Sequence, residues 1–400
     1  MERRNLLQGL VVAPLAALSP TTALALPRQT AETTIADLDV FEVHVNRRGN
    51  WVLARLKTAN GLTGIGDASH GGDDRQTVAY LKQLTDLLRG RQVFDVEWFR
   101  QAANQIVAGS AGKARSAASA LEQCMWDLIG KTTGQPVHQL FGGRLHDRIP
   151  LYANINRSAD PRTPEGFAAM AQRAVDAGFD AVKLAPFDEM PKIPSDDADV
   201  AAGTDHGIAC AEAVRQVIGP NRRLLIDVHS RFTLAQRLKL LQRFEPLDLY
   251  WLEEVTAEDG FDDLAAINKA APMTTAGGEA LHGIAAFYRY IQSGAVDIVM
   301  PDVKLCGGML ELKKIAAVAE AAGVPVSPHG PASPVGTVAA AQVMATVPNF
   351  NILEFAYGEV PWRADLLDTP GDVTGGNLAL SKKPGLGVEL NMKTVARYAA

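Results

Sequence analysis

The sequence predicts an α/β protein in which a barrel of alternating strands and helices follows a smaller α+β domain. Three observations point there. After Pro150, short apolar runs alternate with amphipathic helical segments as far as Phe355, whereas before it the runs alternate apolar with polar residues. The first pattern belongs to buried parallel strands and the second to antiparallel ones. Asp227, Glu253 and Glu279 end three successive apolar runs at equal gaps, 253−227 and 279−253 both being 26. Equal spacing implies a repeated unit, and a strand, a loop, a helix and a second loop fill roughly that length in a (β/α) barrel.

Bulk properties fit this picture. A chain of 400 residues with 47% hydrophobic content has core enough for a barrel and a partner domain, with no need of covalent staples. Cys124, Cys210 and Cys306 show no CxxC spacing and leave an odd count, so buried thiols are expected rather than disulfides or a zinc ribbon. A net charge of −6 without basic clusters argues against a nucleic-acid partner. A small polar substrate suits it better.

The elements follow in order. Arg3-Arg4 precede an apolar stretch from Leu6 to Leu18, and Ala23-Leu24-Ala25 has the small-x-small form that a signal peptidase accepts. Residues 1–25 resemble a twin-arginine leader, which predicts a periplasmic protein without stable membrane association once the leader is removed. An irregular extension of a cytoplasmic enzyme is the alternative. Residues 34–150 are expected to form the α+β domain, with Leu38 to Val43 and Trp51 to Leu56 as strands, Gly49-Asn50 and Asn60-Gly61 as turns, and Ala114 to Lys131 as a helix.

The barrel is expected over residues 151–369. Its strand candidates are Ile149–Ala153, Ala181–Leu184, Arg223–His229, Leu249–Val255, Met273–Glu279, Val296–Val303, Val324–His329 and Ile352–Phe355. Eight such strands with intervening helices mean a barrel rather than an open sheet. No clear helix follows the last strand, and the Gly/Pro-rich tail, about residues 370–400, is expected to return to the first domain.

Carboxylates at three neighbouring strand ends would converge at the barrel mouth, and three hard oxygen ligands describe a Mg2+ site. Side chains two apart on a strand face the same way, so His229 is expected beside Asp227. By the same rule Glu253 faces the mouth and Glu254 the helices. Asp302 and His329 end adjacent strands, which predicts a carboxylate that fixes the tautomer of a general-base imidazole. Glu354 ends the last strand, within reach of a substrate oxygen.

Asp227, Glu253 within Trp251-Leu252-Glu253-Glu254, Glu279 within Gly278-Glu279, Asp302 ahead of Gly307-Gly308, and His329 together resemble the mandelate racemase group of the enolase superfamily. The resemblance covers nearly everything after the leader. It implies an N-terminal α+β capping domain, a modified (β/α)7β TIM-like barrel, Mg2+ held by the three carboxylates, and removal of a proton next to a substrate carboxylate; a homo-oligomer is expected. A Lys or His base working with Mg2+ is a documented pattern of that superfamily.

Where racemases of the group commonly carry Lys-x-Lys, this chain reads Lys183-Leu184-Ala185. Lys183 is left to meet the substrate carboxylate, and Ala185 cannot move a proton. Val255 also stands where a proline commonly follows the Glu-Glu pair. Asp227-Val228-His229 is similar to acid-sugar dehydratases of the galactonate type. The resemblance therefore implies dehydration of an aldonate-like sugar acid, with His329 as base, Asp302 behind it, His229 as acid, and a 2-keto-3-deoxy acid as product. A racemase or epimerase, or a non-catalytic ligand sensor, are the other readings.

Overall fold

A computed structural model gives the fold, and the structure describes residues 31–47, 49–110, 112–191, 197–254, 260–369 and 372–400. The expected leader, residues 1–25, and Val255 lie outside them. The N-terminal domain is an antiparallel sheet of β1 (Ile35–Asn46), β2 (Gly49–Thr58) and β3 (Thr63–Asp67), paired in that order. β3 carries no strand signal in the sequence. Its sequence, Thr-Gly-Ile-Gly-Asp, lacks an apolar run because the helix Gly112–Thr133 lies directly against it. A Cβ at Gly64 would fall 2.3 Å from the Cys124 carbonyl oxygen, and one at Gly66 would fall 2.1 Å from that of Ala120. That helix buries Ala117, Ala120, Leu121, Cys124, Met125 and Leu128, the face its periodicity predicts.

The second unit is built on parallel strands: β4 (Arg148–Asn154), β5 (Ala181–Leu184), β6 (Arg223–Asp227), β7 (Trp251–Glu253), β8 (Thr275–Gly277) and β9 (Ile298–Val299) pair in sequence order. Single bridges Val299–Val326 and Val326–Phe350 continue the ring, and β10 (Leu353–Ala356) pairs with β4 and returns it to its start. The sixth and seventh strands are much shorter than their apolar runs. Pro301, Pro325 and Pro328 carry no N–H, so the ladder cannot extend through them.

Alternation along the strands sorts the side chains. Val182, Leu184, Ile226 and Leu252 face the helices, while Tyr152, Ala181, Leu225, Trp251, Ala276 and Ile298 fill the interior. Asn154, Lys183, Asp227 and Glu253 each follow an interior residue by two positions, so they stand on the same inner face, one layer nearer the mouth.

The tail does more than return to the first domain. β11 (Asp372–Thr374) and β12 (Asn377–Ala379) form a hairpin whose turn glycines, Gly375 and Gly376, have φ of 56° and 66°, as a two-residue turn between twisted strands requires. β12 pairs antiparallel with β4. The chain then crosses back, and Ala399 bridges Val43 of β1.

Three buried carboxylates tie the two units together. Asp67 Oδ2 accepts from Ser333 N (2.8 Å) and Asp127 Oδ1 from Leu386 N (2.8 Å). Glu122 accepts from Met309 N (2.7 Å) and Leu310 N (2.9 Å), so one domain caps the N-terminus of the helix Met309–Ala321 in the other. Gly308 precedes that helix at φ 95°, where a Cβ would meet Glu122 Oε2 at 2.4 Å. Glu122→Ala leaves those donors buried and unmet, and is expected to cost about 2 kcal/mol. The midpoint of urea denaturation, read by tryptophan fluorescence, checks this; an unchanged midpoint would deny the strut a role. The three cysteines are all buried free thiols.

Candidate active site

A cavity of about 840 Å³ lies between the barrel mouth and the loops of the first domain. Asp227 and Glu279 line it, and ligand atoms of these two and of the buried Glu253 lie within 4.8 Å of one another. Their heights are not equal, despite the equal spacing. Asp227 pairs in register with Glu253, but Glu253 pairs with Ala276, so Glu279 stands three residues beyond its partner level. Gly278, at φ 108°, turns the chain back and brings the third carboxylate to the others.

The Lys183 ammonium sits among these groups. It is bonded to Glu253 and lies 3.2 Å from Asp227 and 3.3 Å from Glu354. Glu253 also accepts from Trp251 Nε1 at 3.0 Å. Lys183 is thus held mainly by carboxylates of the protein, although it also borders the cavity.

His229 stands beside Asp227 as expected, though not by continuing the strand, and the expectation for Glu254 is corrected. β6 ends at Asp227, and His229 reaches the mouth by a turn in which His229 and Ser230 have φ of 47° and 53°. Glu254, expected among the helices, is likewise left-handed at φ 49° and lines the cavity. With Asp227 and His229 it forms a second possible ligand cluster. Glu354, expected at a substrate oxygen, lies 3.9 Å from His329 Nε2. It is fully buried, with Asn154 Nδ2 at 2.5 Å on one oxygen and Gly330 N at 2.8 Å on the other, so it braces the site from behind.

Each histidine is backed by an aspartate. His329 Nδ1 lies 2.8 Å from Asp302 Oδ2, and its Nε2 lies 3.3 Å from Glu279. His229 Nδ1 lies 2.5 Å from Asp188 Oδ1, and its Nε2 lies 3.0 Å from Asp227 Oδ2. The two imidazoles therefore approach the carboxylate cluster through different members of it. Asp188 had no signal in the sequence, because it lies in a loop past β5 where no period applies. Asn154 did have one, since it closes β4 just past the expected strand end.

The electrostatics follow from burial and proximity. Burial opposes ionisation of Asp302 and Asp188, yet Lys304 and His329 hold the first at about 2, and His229 and Arg162 hold the second at about 2. Both therefore accept, and the Nδ1 of each histidine donates. Burial would lower the His329 imidazole, but Glu279, Glu354 and Asp302 raise it to about 9. Burial is also outweighed at His229, which Asp227 and Asp188 raise well above its ordinary value. Burial, only partly relieved by Lys183, pushes Glu253 up to about 8, with Asp227 and Glu354 adding repulsion.

The donor set fits a hard divalent cation. It consists of carboxylate oxygens, which Mg2+ prefers, gathered tightly enough to repel one another. Glu279 Oε2 is buried without a hydrogen bond among the described residues. A cation shared by Asp227, Glu253 and Glu279 would relieve both conditions.

The chain is similar to known proteins over most of its length. Residues 166–394 match the family described as enolase C-terminal domain-like, and residues 17–142 match the mandelate racemase/muconate lactonizing enzyme N-terminal domain. The chain is 32% identical to a D-galactonate dehydratase family member of Streptomyces bingchenggensis, over 91% of this chain and 93% of that one. It is 30% identical to the D-xylonate dehydratase of Haloferax volcanii, over 90% and 88%. The crystal structure of a mandelate racemase/muconate lactonizing enzyme-like protein from Rubrobacter xylanophilus superposes with a TM-score of 0.85 at 30% identity, covering 92% of this chain and 98% of that one.

Proposed function

Because the chain belongs to the mandelate racemase/muconate lactonizing enzyme family of the enolase superfamily, we propose that it is a Mg2+-dependent sugar-acid dehydratase that removes the C2 proton, expels the C3 hydroxyl and yields a 2-keto-3-deoxy acid. The observation that carries this reading is the pair of aspartate-backed histidines, one touching Glu279 and the other Asp227, with alanine at position 185. Relatives named as D-galactonate and D-xylonate dehydratases support the substrate class.

Asp227, Glu253 and Glu279 would hold the cation. When bound, it supplies positive charge next to the substrate carboxylate, where a second negative charge develops as the proton leaves. Neutralising Glu279 would remove the largest charge that raises the His329 imidazole, so that His329 Nε2 could take the C2 proton, with Asp302 fixing the tautomer that leaves this nitrogen free to accept. His229 Nε2 gives a proton to the C3 hydroxyl, which departs as water, and Asp188 keeps that ring aimed. The enol left behind ketonises in solution. Lys183 binds Asp227, Glu253 and Glu354 into one unit and so keeps the ligand side chains in place.

The same two histidines would also serve an epimerase, one removing and the other returning a proton at C2. Incubating Mg2+-loaded protein with a panel of sugar acids, with 2-keto acid detection, separates the readings. Keto acid is expected from at least one member. Inversion at C2 without keto acid would establish the epimerase, and no turnover across the panel would favour a sensor.

A further inference from the structure

Besides helping to keep Asp302 ionised, Lys304 joins His70 in giving the His329 side of the cavity basic groups to which no proton transfer is assigned. Lys304 follows Asp302 by two residues, lines the cavity and is 6% exposed. Its Nζ lies 3.4 Å from Asp302 Oδ2, the oxygen that already accepts from His329 Nδ1 at 2.8 Å. Among the described residues no second carboxylate lies within ion-pair range of this ammonium. A buried ammonium with one distant, shared partner is poorly compensated.

His70 meets the same corner from the loop after β3, with its ring over Gly112, where a Cβ would fall 2.4 Å from the nearest ring atom. Burial lowers its proton affinity, and Lys304, Lys113 and Arg115 lower it further, with Asp302 acting the other way. Arg115 Nη1 donates to Ala280 O at 3.1 Å, beside Glu279, so this basic group borders the metal side of the mouth. Three permanent cations thus act on His70, and only one of them, Lys304, has Asp302 for a partner, which it shares with His329.

We propose that this corner binds a second anionic group of the substrate, a carboxylate at the end remote from the reacting carbon, so that the enzyme prefers sugar diacids to sugar monoacids. The inference rests on the sugar-acid reading, since the first carboxylate is the one placed beside the metal ligands. Lys304 takes the distal carboxylate as a point charge, and His70 adds a donor from the capping loop.

Calorimetric titration of Mg2+-loaded full-length protein tests it, using the His229→Asn variant so that ligand is not consumed. The probes are a hexaric acid, the hexonic acid of the same configuration, and that hexonic acid phosphorylated at its far end. The hexaric acid is expected to bind at least about tenfold more tightly than the hexonic acid. Lys304→Met should erase that preference, Lys304→Arg should keep most of it, and His70→Ala should reduce it. Equal affinity for both acids, a preference that survives Lys304→Met, tighter binding of the phosphorylated acid, or no binding of any probe would overturn the proposal. A diacid preference without keto-acid formation by wild type would leave the subsite standing and sink the dehydratase reading. Keto acid from monoacids without a diacid preference would do the reverse.

Discussion

Alanine at Asp227, Glu253 or Glu279 is expected to abolish Mg2+ binding and to lower turnover by at least about a thousandfold, because on the proposed reading each would supply a share of a hard-cation site whose charge would stabilise the transition state. Glu279→Ala is the cleanest of the three, since Glu279 alone among them makes no ion pair with Lys183. In Asp227→Ala the ammonium keeps Glu253 and Glu354, so the fold should persist. Chelation of wild type should inactivate it, and added Mg2+ should restore it. Calorimetric Mg2+ titration alongside a keto-acid assay reads both effects. Full activity in excess chelator would end the metal reading.

The second large effect separates the histidines. His329→Asn is expected to stop both dehydration and exchange of the C2 hydrogen with deuterated solvent, since the group assigned to take that proton is gone. His229→Asn should lower product formation by roughly a hundred to ten thousandfold, the usual loss when general-acid help is removed. Slow exchange at C2 should survive in it, because His329 and Asp302 remain paired. Asp188→Asn should give a milder form of the His229 phenotype, about ten to a hundredfold, and Asp302→Asn a weakened His329 step. NMR of the C2 hydrogen, run beside keto-acid detection, distinguishes all four. Equal loss of exchange and product in His229→Asn would remove its assignment as the acid.

Much of the fold was legible because it depends on local chain geometry. Period-two and period-3.6 patterns located most strands and helices, and their failures have definite causes. Prolines at 301, 325 and 328 cut the sixth and seventh strands short of their apolar runs. β3 was hidden because glycines at 64 and 66 were needed to admit a helix rather than to build an apolar face. Alternation predicted His229 at the mouth for the wrong reason and sent Glu254 the wrong way, because both lie in left-handed turns that break the strand rule.

The alternation of strand and helix, the separate character of the first domain, and the carboxylates and histidines at the strand ends can all be read from the chain alone. These follow from spacing along the chain and from the chemical nature of each residue. Only the tertiary structure decided which groups touch: Lys183 against Glu253 across 70 positions, Glu354 locked behind the site by Asn154 across 200, and Asp188 behind His229 across 41. The reason is physical. A side chain's partner in a barrel is set by strand stagger and by the loops that overshoot the strand ends, and neither leaves a period in the sequence.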